Sequence, residues 1–219
     1  MELEELISEL ERLELAGERY LPKLGESRRG KEEQLKALQR QVEGCTRCRL
    51  GLSRIRPVFG EGNPDGGLFF VGEGPGEIED RSGRPFVGRS GILLSQLLEE
   101  VELSRDRVYI GNIVKCRPPN NRVPTLEEAE SCKPYLLAQL EIVKPVLIVT
   151  LGRTAYHHLT GDSTPIGRVR GRVLEWRGRA LIPTFHPSYL LRNPTALPTA
   201  REDFKVIKRV LEERLGDKG

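Results

Sequence analysis

Largely apolar runs over 68–72, 108–114, 146–151 and 180–185 are short enough for strands and lack a continuous polar face, the pattern of strands covered on both sides. Between and around them the spacing turns helical. Leu35, Leu38 and Val42 predict a helix over 31–43, and Leu93, Leu94, Leu97 and Leu98 predict one over 91–101. Further helices are predicted over 125–143, 153–159 and 199–215, with a hairpin or edge strand over 173–176. Strands alternating with helices imply a three-layer α/β/α sandwich around a central, mainly parallel sheet of about four strands. Upstream, Leu3, Leu6, Leu10 and Leu13 form one apolar stripe, and Gly17, Pro22, Gly25, Ser27 and Gly30 give linker composition. Residues 1–30 therefore read as a helical extension and linker, and 31–219 as the α/β domain. The preferred reading of the extension is a packing or mobile segment; its alternative is a helix that meets a protein partner.

The loop over 72–91 joins a strand to a helix, the connection that carries ligand sites in open α/β sheets. Glycines at 72, 74 and 76 let main-chain amides approach a ring or phosphate, and carboxylates stand at 73, 77, 79 and 80. The loop lacks the Lys and Ser/Thr of a P-loop. With the loops after the second and last strands, over 112–116 and 186–192, it brings three remote segments to one edge of the sheet.

Composition narrows the setting. A chain of 219 residues with 37% apolar content suits one α/β domain with an appendage. No apolar run approaches the roughly 20 residues of a membrane helix, and Met-Glu-Leu-Glu-Glu is no signal peptide, so a cytoplasmic protein with no membrane contact is expected. The net charge of +3 is uneven: residues 1–44 hold 11 acidic and 8 basic side chains, leaving +6 on the remainder, an excess that suits a phosphate-rich ligand without establishing one.

Cys45 and Cys48 form a Cys-x2-Cys pair; Cys116 follows a strand and Cys132 falls in a helix. In a cytoplasmic chain these point to a metal rather than to disulfides. Zinc more often shows a second close pair or a knuckle with His, and four thiolates without His also suit a 4Fe-4S cluster. Spacing alone leaves iron-sulfur, zinc and unligated thiols open.

Gly72-Glu-Gly-Pro-Gly-Glu77, Gly83-Arg-Pro-Phe-Val-Gly88, Asn112-Ile-Val-Lys-Cys-Arg-Pro-Pro119 and His186-Pro-Ser-Tyr-Leu-Leu-Arg-Asn-Pro194, in this order, resemble the family 4 uracil-DNA glycosylases, the iron-sulfur members of their superfamily. The resemblance runs from about Cys45 to the end and leaves residues 1–44 uncovered. It implies a DNA-repair enzyme that flips uracil out of single- or double-stranded DNA, hydrolyses its N-glycosidic bond and leaves an abasic site. It implies a 4Fe-4S cofactor on Cys45, Cys48, Cys116 and Cys132, and a monomer associated with the nucleoid of a prokaryote.

The resemblance also assigns roles. Phe86 stacks on the extruded uracil, Asn112 reads its Watson-Crick edge, and His186 donates to O2 as negative charge grows on the leaving ring. Glu73 and Gly74 border the scissile bond. Other branches carry an Asp where Gly74 stands, so the expected path is dissociative, with a weakly activated water oriented by Glu73 or Glu79. Glu77 and Asp80 read as a solvated loop edge, and His157 and His158 as surface or packing residues. Leu190, Leu191 and Arg192, beside Tyr189, are expected to wedge into the base stack. Arg168, Arg170, Arg172, Arg177 and Arg179 offer DNA contacts or, more simply, a solvated surface. A related branch traps the sugar through a basic, His-containing loop; here Pro118 to Thr125 contain no such nucleophile, so turnover and free uracil are expected. The rival readings are a non-enzymatic iron-sulfur or zinc protein that binds DNA or a partner and a hydrolase of free nucleosides or nucleotides.

Overall fold

The computed structural model describes residues 28–216. The apolar stripe at Leu3, Leu6, Leu10 and Leu13, and the proposed partner contact through it, lie outside the described residues. Helix α1 (Arg28–Gly44) begins earlier than the periodicity predicts, with Arg28 and Arg29 each paired one turn on to Glu32 and Glu33. A single turn, α2 (Leu50–Ser53), follows the first cysteine pair.

The sheet has six strands in the order β1-β3-β2-β4-β6-β5. Its four central strands, β2 (Leu68–Gly72), β3 (Tyr109–Asn112), β4 (Leu147–Leu151) and β6 (Arg179–Thr184), run parallel. Two antiparallel edges complete it: β1 (Glu61–Gly62) and β5 (Leu174–Trp176). A two-residue strand has no periodicity to read, so β1 escaped the sequence pattern. Ile113 and Val114, expected to extend β3, leave the ladder, although Ile113 N–H still donates to the Gly72 carbonyl.

Alternation along the strands makes two cores. Phe69, Val71, Tyr109, Ile148 and Leu181 face one side, against Leu38 and Val42 of α1, Leu136 and Leu140 of α5 (Leu126–Val143), and Ala155 of α6 (Gly152–Thr160). Leu68, Phe70, Ile110, Val149 and Ile182 face the other, against Leu94 and Leu98 of α4 (Arg89–Glu99) and Phe204 and Ile207 of α9 (Leu197–Gly216). This double covering explains the nearly uninterrupted apolar runs. Helix α5 starts where the sequence marks it: Thr125 and Glu128 form a reciprocal capping box. Three more short helices lie in the connections: α3 (Glu77–Ser82), inside the 72–91 loop, α7 (Ile166–Val169), and α8 (Pro187–Arg192), shortly after β6. No helix among the described residues is long and apolar enough to cross a membrane.

Candidate functional site

Parallel pairing sets Gly72 opposite Asn112 at the carboxyl ends of β2 and β3. A Cβ added to Gly72 would lie 2.3 Å from Asn112 Oδ1 and 2.6 Å from Phe86 Cζ. The amide and the ring therefore close over a backbone that has room only for hydrogen. Asn112 is 1% exposed, and its Oδ1 meets no hydrogen-bond partner among the described residues. An acceptor buried in that state costs about 1–3 kcal/mol, which a matching donor recovers.

Phe86 is buried at φ +52, a left-handed conformation rare for a bulky residue. Val87 N–H and Gly88 N–H both donate to Glu79 Oε1, at 3.0 and 2.7 Å. Glu79, expected near the water, thus lies in the loop that carries the ring, with one oxygen committed to main-chain amides. Asp80 corrects a reading: it is 3% exposed, not solvated, and its Oδ1 accepts from Ile55 N–H at 3.0 Å. Glu77 is exposed and pairs with Arg81 within α3.

His186 caps the N-terminus of α8. Ser188 N–H donates to its Nδ1 at 3.0 Å, and Ser188 Oγ lies 2.8 Å from the same atom. An Nδ1 that accepts a main-chain proton leaves the neutral ring's own proton on Nε2, making Nε2 a donor. Burial, reinforced by the charge of Arg192, pushes the imidazole down to about 4, so it stays neutral at ordinary pH. Its ring centroid is 5.8 Å from that of Phe86. Gly152, at φ +87, makes room for it: a Cβ there would stand 2.9 Å from His186 Cβ.

Glu73 is half-buried. Burial pushes its carboxyl up, against a hydrogen bond with Thr154 in the first turn of α6 that pulls it down. A Cβ on Gly74 would come 2.7 Å from Val114 Cγ2. Thus β2, β3, β4 with α6, and β6 with α8 each deliver one side of the site.

The wedge segment divides. Leu190 is 2% exposed and belongs to the core beside α4, which removes it as an inserting side chain; Tyr189, Leu191 and Arg192 are exposed. The arginines divide too. Arg170 turns inward to the fully buried Asp203, which also accepts from Thr184 Oγ1, and Arg179 pairs with Glu141. Arg168 and Arg172 are exposed, and the exposed Arg177 lies over the Trp176 ring.

The four cysteines, from the α1–α2 connection, the loop after β3 and the second turn of α5, line one cavity with Arg47, Arg54, Lys115 and Tyr135. Arg54 Nη1 donates to Cys116 Sγ at 3.0 Å and Lys115 N–H to Cys132 Sγ at 3.2 Å, donors suited to anionic sulfur. Burial pushes the Cys132 thiol up to about 12 and raises that of Cys116, so a cationic ligand is what such sulfurs need to ionise. No group of three or more His, Cys, Asp or Glu among the described residues is close enough to hold a single metal ion. A lining of four thiols and no histidine is a donor set that a 4Fe-4S cluster fits.

Sequence reasoning missed several contributors. Lys115 is fully buried; its Nζ donates to the Asn112 carbonyl at 2.9 Å and to Gln139 Oε1, while Gln139 Nε2 donates to the Phe59 carbonyl. Burial brings that amine down to about 8, against the nearby cysteines. A lysine inside an otherwise apolar run was the available signal. Thr154, Glu61 and Arg105 had none, since their roles arise from contacts distant in sequence.

A model of the uracil DNA glycosylase superfamily matches residues 59–212. The chain is 54% identical over 165 residues to the type-4 uracil-DNA glycosylase of Thermotoga maritima, covering 74% of this chain and 86% of that protein. It is 42% identical to the type-4 enzymes of Sulfurisphaera tokodaii, over 81% of this chain and 85% of that one, and of Archaeoglobus fulgidus, over 80% and 92%.

Proposed function

The chain belongs to the type-4 branch of the uracil DNA glycosylase superfamily, and from that premise and the pocket geometry we propose that it excises uracil from DNA, releasing the free base and leaving an abasic site. The observation that carries the reading is the buried, partnerless Oδ1 of Asn112 beside the Phe86 ring. Uracil supplies what this atom lacks: its N3–H donates to Oδ1 while its O4 accepts from Nδ2. Cytosine offers an acceptor at N3 and a donor at N4, leaving both amide groups opposed.

The base is flipped out of the strand and stacks on Phe86. His186 Nε2–H donates to O2. As the bond between N1 and C1′ breaks, its electron pair leaves with the ring, and the fixed neutral donor stabilises the resulting anion. Glu73, borne on the Gly72–Gly74 backbone, balances the cationic sugar and orients the water whose oxygen adds to C1′; the proton that this water loses passes by way of solvent to the uracil anion, which leaves as neutral uracil. Leu191, with Tyr189 and Arg192, fills the gap in the stack.

Cys45, Cys48, Cys116 and Cys132 would hold a 4Fe-4S cluster that supplies structure rather than reaction chemistry. Around them, Arg54 ties to Cys116, Ile55 N–H to Asp80, and Val58 N–H to the Lys115 carbonyl, so the cysteine segment is joined to both pocket loops.

The test is a labelled single strand with one deoxyuridine, treated with alkali after incubation with iron-replete protein. Cleavage at the uracil supports the proposal, and an intact strand refutes it. Free deoxyuridine as substrate separates the nucleoside hydrolase, which would release uracil from it.

A further inference from the structure

Phe86 stands at φ +52, and the pocket wall depends on a ring held by a backbone that bulky side chains avoid. The flanking peptide groups show how it is held. The carbonyls of Pro85 and Phe86 both accept from Arg105, through Nη2 and Nη1, each at 2.8 Å. The next two amides, of Val87 and Gly88, turn the other way onto Glu79. Two carbonyls on a cation and two amides on an anion, with the left-handed residue between them, make a clamp closed from opposite sides. A third constraint is the first turn of α4, where a Cβ on Gly91 would fall 1.7 Å from the Phe86 carbonyl oxygen.

Arg105 is itself oriented. Its Nη2 donates to Glu61 Oε1 at 2.9 Å, and Glu61 also accepts from Arg84 of the same loop. Burial works against the Glu61 charge, but the two arginines outweigh it and hold the carboxyl below its usual range. The planar fork of a guanidinium spans two adjacent carbonyls and a carboxylate together, which an ammonium on a flexible stem does not reproduce.

We propose that Arg105, oriented by Glu61, is a positioning residue for base recognition: it fixes the Phe86 ring in its stacking position without touching substrate. This inference rests on the reading of Phe86 as the uracil platform, so its test has one arm that needs that reading and one that does not. The first arm is a double-mutant cycle in single-turnover excision from the deoxyuridine strand, with Arg105→Ala, Phe86→Ala and both together. Arg105→Ala is expected to slow excision on the order of 10²-fold, the penalty of misplacing a positioning group by about an ångström. In the Phe86→Ala background the same change should cost no more than about threefold, because its target is already gone. Full additivity, or an Arg105→Ala enzyme within about threefold of the parent, would overturn the assignment.

The second arm is amide hydrogen exchange at Val87 and Gly88, expected to accelerate in Arg105→Ala while amides of β2 and β4 keep their protection. Unchanged exchange at these two amides refutes the clamp whatever the kinetics. If the parent protein excises no uracil but this local exchange appears, the clamp stands and the proposed function fails. Should Arg105→Ala not fold, Arg105→Lys and Glu61→Gln carry both arms; each keeps comparable bulk and loses the fork or its orienting charge, and each is expected to fall between parent and Arg105→Ala.

Discussion

Gly72→Ala tests the pocket with one methyl group. Gly72 ends β2 with both Phe69 and Val71 paired normally beside it, and its φ is not among the positive values, so alanine meets no backbone objection. All the conflict is with side chains of the site: the methyl would stand 2.3 Å from Asn112 Oδ1 and 2.6 and 2.7 Å from Phe86 Cζ and Cε2. Ordinary contact requires about 3.5 Å, so the amide, the ring or both must retreat by roughly 1 Å. Neither is free to do so, because Lys115 holds the Asn112 backbone and Arg105 and Glu79 hold the Phe86 loop. Overpacking of this kind costs about 1–3 kcal/mol of stability, or roughly 2–12 °C in Tm for a domain of this size. The effect on excision should be larger: a displacement of about 1 Å at the recognition groups lowers the single-turnover rate on the order of 10²-fold. The assay is alkali-revealed cleavage of the deoxyuridine strand below the Tm of both proteins, with Gly167→Ala as control, since a Cβ there meets nothing within 4 Å. A Gly72→Ala enzyme that folds and excises within about threefold of the parent refutes the packing of amide and ring around Gly72.

Four further outcomes follow from the same geometry. Because burial lowers His186 to about 4, the excision rate should show no acid limb near the ordinary imidazole value; a limb near pH 6.5 that vanishes in His186→Gln refutes the neutral-donor assignment. The sign for stability is also fixed: between about pH 6.5 and 4 the unfolded chain takes up a proton that the native ring refuses, so this group's contribution weakens as pH falls through that window, which urea melts of parent and His186→Gln should reveal. Leu190→Ala should cost about 2–5 kcal/mol on chemical unfolding, whereas Leu191→Ala should leave stability nearly unchanged and slow excision from duplex more than from single strands; the reverse pattern would show that the wedge is misassigned. Purified protein should carry about four irons and four acid-labile sulfides per chain, and Cys132→Ser should bleach the visible absorbance; stoichiometric zinc without sulfide would overturn the cluster.

What the sequence made legible was whatever repeats or stands alone. Unbroken apolar runs such as 146–151 declared parallel strands because β4 is covered on both faces, and Thr125 with Glu128 marked the start of α5 through a local capping box. Gly72 and Asn112, 40 positions apart, were legible as strand ends, and register alone then made them neighbours. Helix α3 was not legible: six residues are too few for periodicity, and its carboxylates read as a solvated edge until Asp80 met the amides of Ile55 and Arg56. Leu190 misled for a related reason, since in a one-and-a-half-turn helix adjacent leucines point to core and solvent in turn. Glu61 and Arg105 were out of reach because an ion pair spanning 44 residues leaves no local trace.

The illegible contacts share a purpose that the legible ones lack. Phe86 and Asn112 come from different loops, joined at their roots where Gly72 pairs with Asn112 and Ile113 N–H donates to the Gly72 carbonyl. A second link between them is the segment after the first cysteine pair. Asp80, in the same loop as Phe86, accepts from Ile55 and Arg56; Val58 N–H donates to the carbonyl of Lys115, whose amine holds the Asn112 carbonyl; and Arg54 donates to Cys116 Sγ. A ligand held by the four sulfurs would bear on residues 54–58 through the Arg54–Cys116 contact, and through them on the relation of ring to amide. On that account the proposed cluster acts on uracil recognition at a distance, by fixing geometry, and its loss should weaken recognition even where the secondary structure survives.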